Sequence, residues 1–85
     1  MRRSDHAMAR AVDDELVILD VRSGRYFSLN DVGALVWDRL DGTATPADLV
    51  AAITAEFDVD EATAAADLEA LLASLREAGL IVDDA

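Results

Sequence analysis

Between Arg22 and Gly42 the chain has little freedom in what it can build. Arg22-Ser-Gly-Arg25 reads as a turn, Arg25 to Leu29 as a short aromatic strand, Asn30 as a helix cap, and Asp31 to Leu40 as an amphipathic helix closed by Asp41-Gly42. These pieces follow one another without a spare residue, so the strand and the helix must pack side by side. Gly24 can supply the positive φ that such a turn requires. Phe27 and Leu29 share one face of the strand, Tyr26 and Ser28 the other. Nothing in this stretch has the pattern of a catalytic group. It offers a short strand, expected at a sheet edge, beside a bundle of helices.

Upstream, Glu15 to Val21 is a β-branched run with apolar residues on both parities. Leu16 and Ile18 point one way; Val17, Leu19 and Val21 point the other. Ala9 to Val12 reads as a further short strand, and residues 1–8 as a flexible tail. Downstream, Val32, Gly33, Val36, Trp37 and Leu40 form the apolar stripe of the first helix. Thr45-Pro46 is a cap followed by proline at the first helical position, and Leu49, Val50, Ile53 and Phe57 give the second helix its apolar face. Asp58-Val-Asp60 interrupts the pattern. The third helix then runs from Glu61 to Ala78 with Ala64, Leu68, Leu71, Leu72 and Leu75 inward; Gly79 stops it, and Leu80-Ile-Val82 closes on the core. The pattern predicts an α+β fold with a winged helix-turn-helix-like layout. An N-terminal antiparallel β-hairpin, or a three-stranded sheet, packs on three α-helices in a single domain over residues 1–85.

Charge and composition exclude whole classes of function. Seven cations, all Arg, face eighteen acids, for a net charge of −11; from Leu40 onward only Arg76 stands against eleven acids. A DNA-reading helix needs basic or amide side chains, and the second helix has no basic residue, so no nucleic-acid partner is expected. No apolar run approaches the roughly 20 residues that cross a bilayer, and Met1 to Ala9 lacks the apolar core of a secretory signal; a cytoplasmic protein without membrane contact is expected. There is no Cys, and His6 stands alone, so neither a metal site nor a thiol nucleophile is expected. Ser23, Ser28 and Ser74 have no base to activate them. Asp13-Asp14 and Asp83-Asp84 are adjacent surface charges without the burial that acid–base work requires. The expectation is a protein that is not an enzyme and holds no cofactor.

An ordered set of residues carries a resemblance. Gly24-Arg-Tyr-Phe-x-Leu-Asn30, Val32-Gly33-x3-Trp37-x2-Leu40-Asp-Gly42, Phe57, and Asp67-Leu-x2-Leu71-x3-Leu75-x3-Gly79-Leu-Ile81 together resemble the PqqD-like family, over residues 12–82. These are small leader-peptide recognition domains of ribosomally made peptide pathways. The resemblance implies a three-stranded sheet on three helices. It implies further that a precursor leader pairs as an added strand along the third strand, with side chains entering a groove against the third helix. The aromatic pair before Leu29-Asn30 is more similar to the free-standing lasso-peptide branch. There the partner is a separate transglutaminase-like cysteine protease. In the alternative, a pyrroloquinoline quinone branch, the partner is a radical SAM enzyme. A generic protein–protein adaptor and an acidic mimic of nucleic acid are the other non-catalytic alternatives.

The residues themselves suit peptide capture. Unpaired N–H and C=O groups along an edge strand can accept an extended peptide, and pockets for alternate side chains then select it. Each backbone bond contributes only about 0.5–1.5 kcal/mol, so apolar anchors must supply the rest. Leu68 and Leu75 lie near the middle of the buried stripe of the third helix; Asp67, Leu71, Ser74 and Ala78 lie on its flank. The expected peptide-binding set is therefore Arg25, Tyr26, Phe27, Ser28, Leu29, Asp67, Leu68, Leu71, Ser74 and Ala78. Competing roles exist for several: core packing for Phe27 and Leu71, a solvated helix position for Asp67, a cover for the sheet in Tyr26, an exposed strand charge in Arg25. Val17, Leu19 and Val21 form a second apolar face, expected to dock the enzyme partner or a second copy of the chain, or to lie under the N-terminal tail.

Overall fold

The computed structural model describes residues 1–83. Asp84 of the acidic pair named above lies outside the described residues. In chain order the elements are β1 (Arg2–Arg3), β2 (Ala7–Val12), β3 (Glu15–Asp20), β4 (Arg25–Leu29), α1 (Asp31–Asp38), α2 (Pro46–Glu56), α3 (Glu61–Glu77) and β5 (Ile81–Val82). β2, β3 and β4 form an antiparallel meander with β3 in the middle, and β1 and β5 form a separate two-stranded sheet. The α+β expectation holds, in its three-stranded form.

Alternation along the central strand sorts the side chains. Ile18 sits in register with Ala9 on one side and Phe27 on the other. It is fully buried, in a core with Val36, Leu40, Leu49, Ile53 and Leu80. The opposite parity aligns Met8, Leu19 and Tyr26 in one row on the far face. β3 stops at Asp20, one residue short of the expected Val21. The buried Asp20 carboxylate accepts from the Arg22 N–H at 3.0 Å and the Ser23 hydroxyl at 2.9 Å, which folds the chain back. Gly24 then adopts φ +75°, and its N–H donates to the Asp20 carbonyl at 2.8 Å. The other hairpin turn was not legible as one: Asp13 takes φ +54°, a left-handed conformation that Asp tolerates better than most residues.

Helix termini follow their sequence signals closely. The Asn30 side chain accepts from the Gly33 N–H at 3.0 Å. Thr45 and Asp48 form a reciprocal capping box with Pro46 inside it. Asp60 accepts from the Thr63 N–H at 2.7 Å. At the other end of α3 the Leu80 N–H reaches back to the Leu75 carbonyl at 2.9 Å, past Gly79.

Residues 1–8 are not a loose tail. Arg2–Arg3 pair antiparallel with Ile81–Val82, and the first meander strand begins at Ala7 rather than Ala9. The Arg3 N–H donates to Leu40 O at 3.1 Å, the Ser4 N–H to Leu80 O at 2.9 Å, and His6 Nε2 lies 3.1 Å from Gly79 O. The physical reason is long-range: backbone groups some 75 residues apart in sequence satisfy each other, which no local pattern can announce.

Candidate peptide-binding groove

β4 is an edge strand, because β3 is its only neighbour in the meander. Its position is fixed at both ends. The Asp20–Gly24 turn sets where it begins, and the Asn30 cap sets where it hands over to α1. Gly33 brings α1 in close: a Cβ there would lie 2.9 Å from the Leu29 Cβ. Leu29 is thereby pinned, buried, at the end of the strand.

A groove runs between β4 and α3 and opens into two cavities. One, of about 390 Å³, is lined by Ser28, Leu29, Asn30, Val32, Gly33, Asp67 and Leu71. The other, of about 220 Å³, is lined by Arg25, Phe27, Ser74, Glu77 and Ala78. Eight of the ten residues expected from sequence thus line this groove. The remaining two do not. Leu68 is only 3% exposed and borders a cleft on the α2 side with Pro46 and Val50. Tyr26 is 70% exposed on the opposite face of the sheet. Strand alternation puts it there, since Phe27 already occupies the groove side.

Asn30, Val32, Gly33 and Glu77 line the groove without having been expected to. Glu77 was within reach of the periodicity argument, three residues beyond Ser74 on the same flank. Val32 and Gly33 were read only as core stripe, and Asn30 only as a cap.

The two cavities differ in charge. In the smaller, the Arg25 guanidinium lies 5.6 Å from the centroid of the Phe27 ring, within cation–π range, and Glu77 stands on the helix wall. In the larger, Asp67 is the one charged residue, above an apolar floor of Leu29, Val32 and Leu71. Among the described residues the Asp67 carboxylate has no side-chain hydrogen bond or ion pair. Asp20 behaves differently. Burial works against its ionisation, but the Arg22 N–H, the Ser23 hydroxyl and the nearby His6 outweigh that and hold its carboxyl below the ordinary value. Its charge is used to shape the turn.

The far face of the sheet carries a third cavity, about 450 Å³, lined by Met8, Ala9, Arg10, Val12, Val17, Leu19 and Tyr26. The N-terminal segment does not fold across this face. It supplies strand β2 and adds Met8 and Val12 to it, both exposed. Val17 and Leu19 are half-buried there, and Val21 is exposed in the turn beyond. Among the described residues no group of three metal-binding side chains occurs, and no helix is long and apolar enough to cross a membrane.

Comparison with known proteins adds to this geometry. The family described as coenzyme PQQ synthesis protein D (PqqD) matches residues 15–81. A solved structure described as TbiB1 in complex with the TbiA(beta) leader peptide is similar, with a TM-score of 0.86 and 36% identity, covering 100% of this chain and 99% of that one. A second, described as lasso peptide synthetase B1 complexed with the leader peptide, has a TM-score of 0.84 and 36% identity, covering 96% of each chain. No curated protein matches.

Proposed function

The chain belongs to the PqqD family, and from that membership we propose that it is a recognition protein for the leader of a ribosomally synthesised precursor, of the lasso-peptide kind. The leader adds to β4 as a fourth strand and seats alternate side chains in the groove against α3. The observation that carries this reading is the open β4 edge with two cavities directly alongside it. Backbone bonds hold the peptide extended, and burial of its side chains offsets the cost of ordering it. Arg25, Phe27, Ser28, Leu29, Asp67, Leu71, Ser74 and Ala78 are the contact residues in this proposal, joined by Val32 and Glu77. The serine–histidine contact among the described residues, Ser4 Oγ to His6 Nδ1 at 2.7 Å, involves a buried serine, and neither residue lines the groove. The chain works as a single domain in the cytoplasm, where such precursors are translated.

Delivery needs a second surface. The far face of the sheet, with Val17, Leu19 and the neighbouring Val21, docks a separate leader peptidase of the cysteine-protease type. Its support is an apolar face that the chain itself leaves uncovered. The family's description favours one other reading, a PqqD-type chaperone presenting its peptide to a radical SAM enzyme.

Titration of the purified protein with a fluorescent synthetic leader, taken from the precursor encoded beside it, tests the proposal. Saturable one-to-one binding with slowed amide exchange along β4 is expected. Binding that leaves β4 exchange unchanged places the peptide elsewhere. Co-purification of the complex with each neighbouring enzyme separates the peptidase from the radical SAM reading.

A further inference from the structure

We infer that the far face of the sheet recognises its enzyme partner through Arg10: the partner surface seated there is apolar and brings one carboxylate to the Arg10 guanidinium. This rests on the docking reading of that face given above and adds the chemistry of the partner to it. Cross-strand register builds the face. Met8, Leu19 and Tyr26 form one row, and Arg10, Val17 and Ser28 the next. Alternation along β2 puts Val12 on the same side as Met8 and Arg10. Met8, Val12 and Tyr26 are large apolar side chains left exposed. Met, Tyr and Arg are side chains that protein interfaces favour, and Asp and Glu are ones they avoid. The cavity on this face follows that pattern. The chain has eighteen acids, yet none of them lines it, and Arg10 is its one charged side chain. Both groove cavities and the cleft on the α2 side are bordered by an acid, namely Asp67, Glu77 and Glu69.

Arg10 has nothing of its own to hold. Arg2 and Arg76 reach Asp5 and Asp83, and Arg25 lies over the Phe27 ring. Among the described residues the Arg10 guanidinium has no hydrogen bond, ion pair or ring contact. A wholly apolar partner surface would strip water from that guanidinium and return no acceptor. A carboxylate takes two parallel hydrogen bonds from its fork, and the apolar side chains around it exclude the water that would compete. Two other occupants do not fit. A second copy, paired about a two-fold axis, would present the same cavity again, with another Arg10 and no carboxylate. Glu15, at the corner of the sheet, lines a separate cavity with Asp14 and Asp31. A phosphate-bearing surface calls for several cations, and this face offers one on a chain of net charge −11.

The probe is the purified peptidase encoded beside the chain, titrated onto wild type, Arg10→Glu, Arg10→Lys and Met8→Asp. Arg10 and Met8 are exposed, so the variants should fold; thermal melts and titration with the fluorescent leader confirm it. Arg10→Glu is expected to weaken docking by more than about thirtyfold. Arg10→Lys keeps the charge but loses the fork, and should weaken docking several-fold. Met8→Asp should weaken it as well, and leader binding should be the same in all. A peptidase variant with one surface Asp or Glu changed to Arg should recover binding to Arg10→Glu and lose binding to wild type. Arg10→Glu that docks as tightly as wild type while Met8→Asp fails overturns the carboxylate assignment and leaves the docking reading standing. A charge-swap scan of every surface acid of the peptidase that restores nothing does the same. Docking that neither variant changes, or that wild type lacks, overturns the assignment and the docking reading together. A wild-type chain that sediments as a dimer, split by Met8→Asp, gives the face to a second copy and overturns both.

Discussion

Leu71 and Asp67 border the same cavity, and in the proposed complex they would meet the peptide in different ways. Leu71 is half-buried and forms floor; Asp67 is exposed and forms rim. Truncating the floor should therefore cost more. Leu71→Ala is expected to weaken leader binding by about 2 kcal/mol, and Asp67→Asn by less, since Asn keeps an acceptor and exposed charges contribute little. Calorimetric titration of both variants checks the order; loss confined to Asp67→Asn would make the site electrostatic. Gly33 is the other sensitive position, because a methyl group there meets the Leu29 Cβ at 2.9 Å. Gly33→Ala should destabilise the fold by about 1–3 kcal/mol in a denaturant melt and displace the end of β4. The groove flank of α3 was legible because helical periodicity places Asp67, Leu71, Ser74 and Ala78 in a row. Tyr26 and Leu68 were misplaced for opposite reasons. Tyr26 has the chemistry of a binding residue but the wrong strand parity. Leu68 has the right helix but points toward α2 rather than the groove.

At the scale of elements, the proposal depends on β4 remaining half paired. Adjacent residues of an edge strand turn their N–H groups in opposite directions, one to the sheet and one outward. Ser28→Pro is expected to weaken leader binding by more than about tenfold while the melting temperature stays close to wild type, if the Ser28 N–H points outward. A folded variant with unchanged affinity would move the peptide away from this strand. On the other side of the sheet, Leu19→Asp and Val17→Asp should impair co-purification with the peptidase and spare leader binding. Equal loss of both, with melting, would mark that face as structural. The helices could be read from sequence because caps and stops are local: Asn30, Thr45-Pro46, Asp60 and Gly79 each act on their own neighbours. The β1–β5 pair could not. Two strands of two residues each carry no periodicity, and their pairing joins opposite ends of the chain.

For the whole molecule, acid is the informative variable. Asp41, Asp48 and Asp60 are held below the ordinary carboxylate value, chiefly by the backbone N–H groups of Thr43, Thr45 and Thr63 and then by those hydroxyls. A carboxyl lowered on folding stabilises the native state above its unfolded value of about 3.9, and that contribution is lost as pH falls through the lowered native value. Protonation of surface acids relieves repulsion over the same range. In about 1 M salt, where repulsion is largely screened, the melting temperature should hold from pH 7 to about 5 and fall below about 4. A melting temperature that rises steadily into acid would show that repulsion, and not capping, governs stability. The edge that makes β4 useful has another consequence. Arg25-Tyr-Phe-Ser-Leu29 is a bare template, and any strand can extend it, including β4 of another copy. The safeguard is the net charge of −11, which keeps copies apart in dilute neutral solution. The hazard of self-association and the proposed capture of peptide therefore rest on the same uncapped strand. In the proposed complex a bound leader would close that edge to other copies as well as being carried by it.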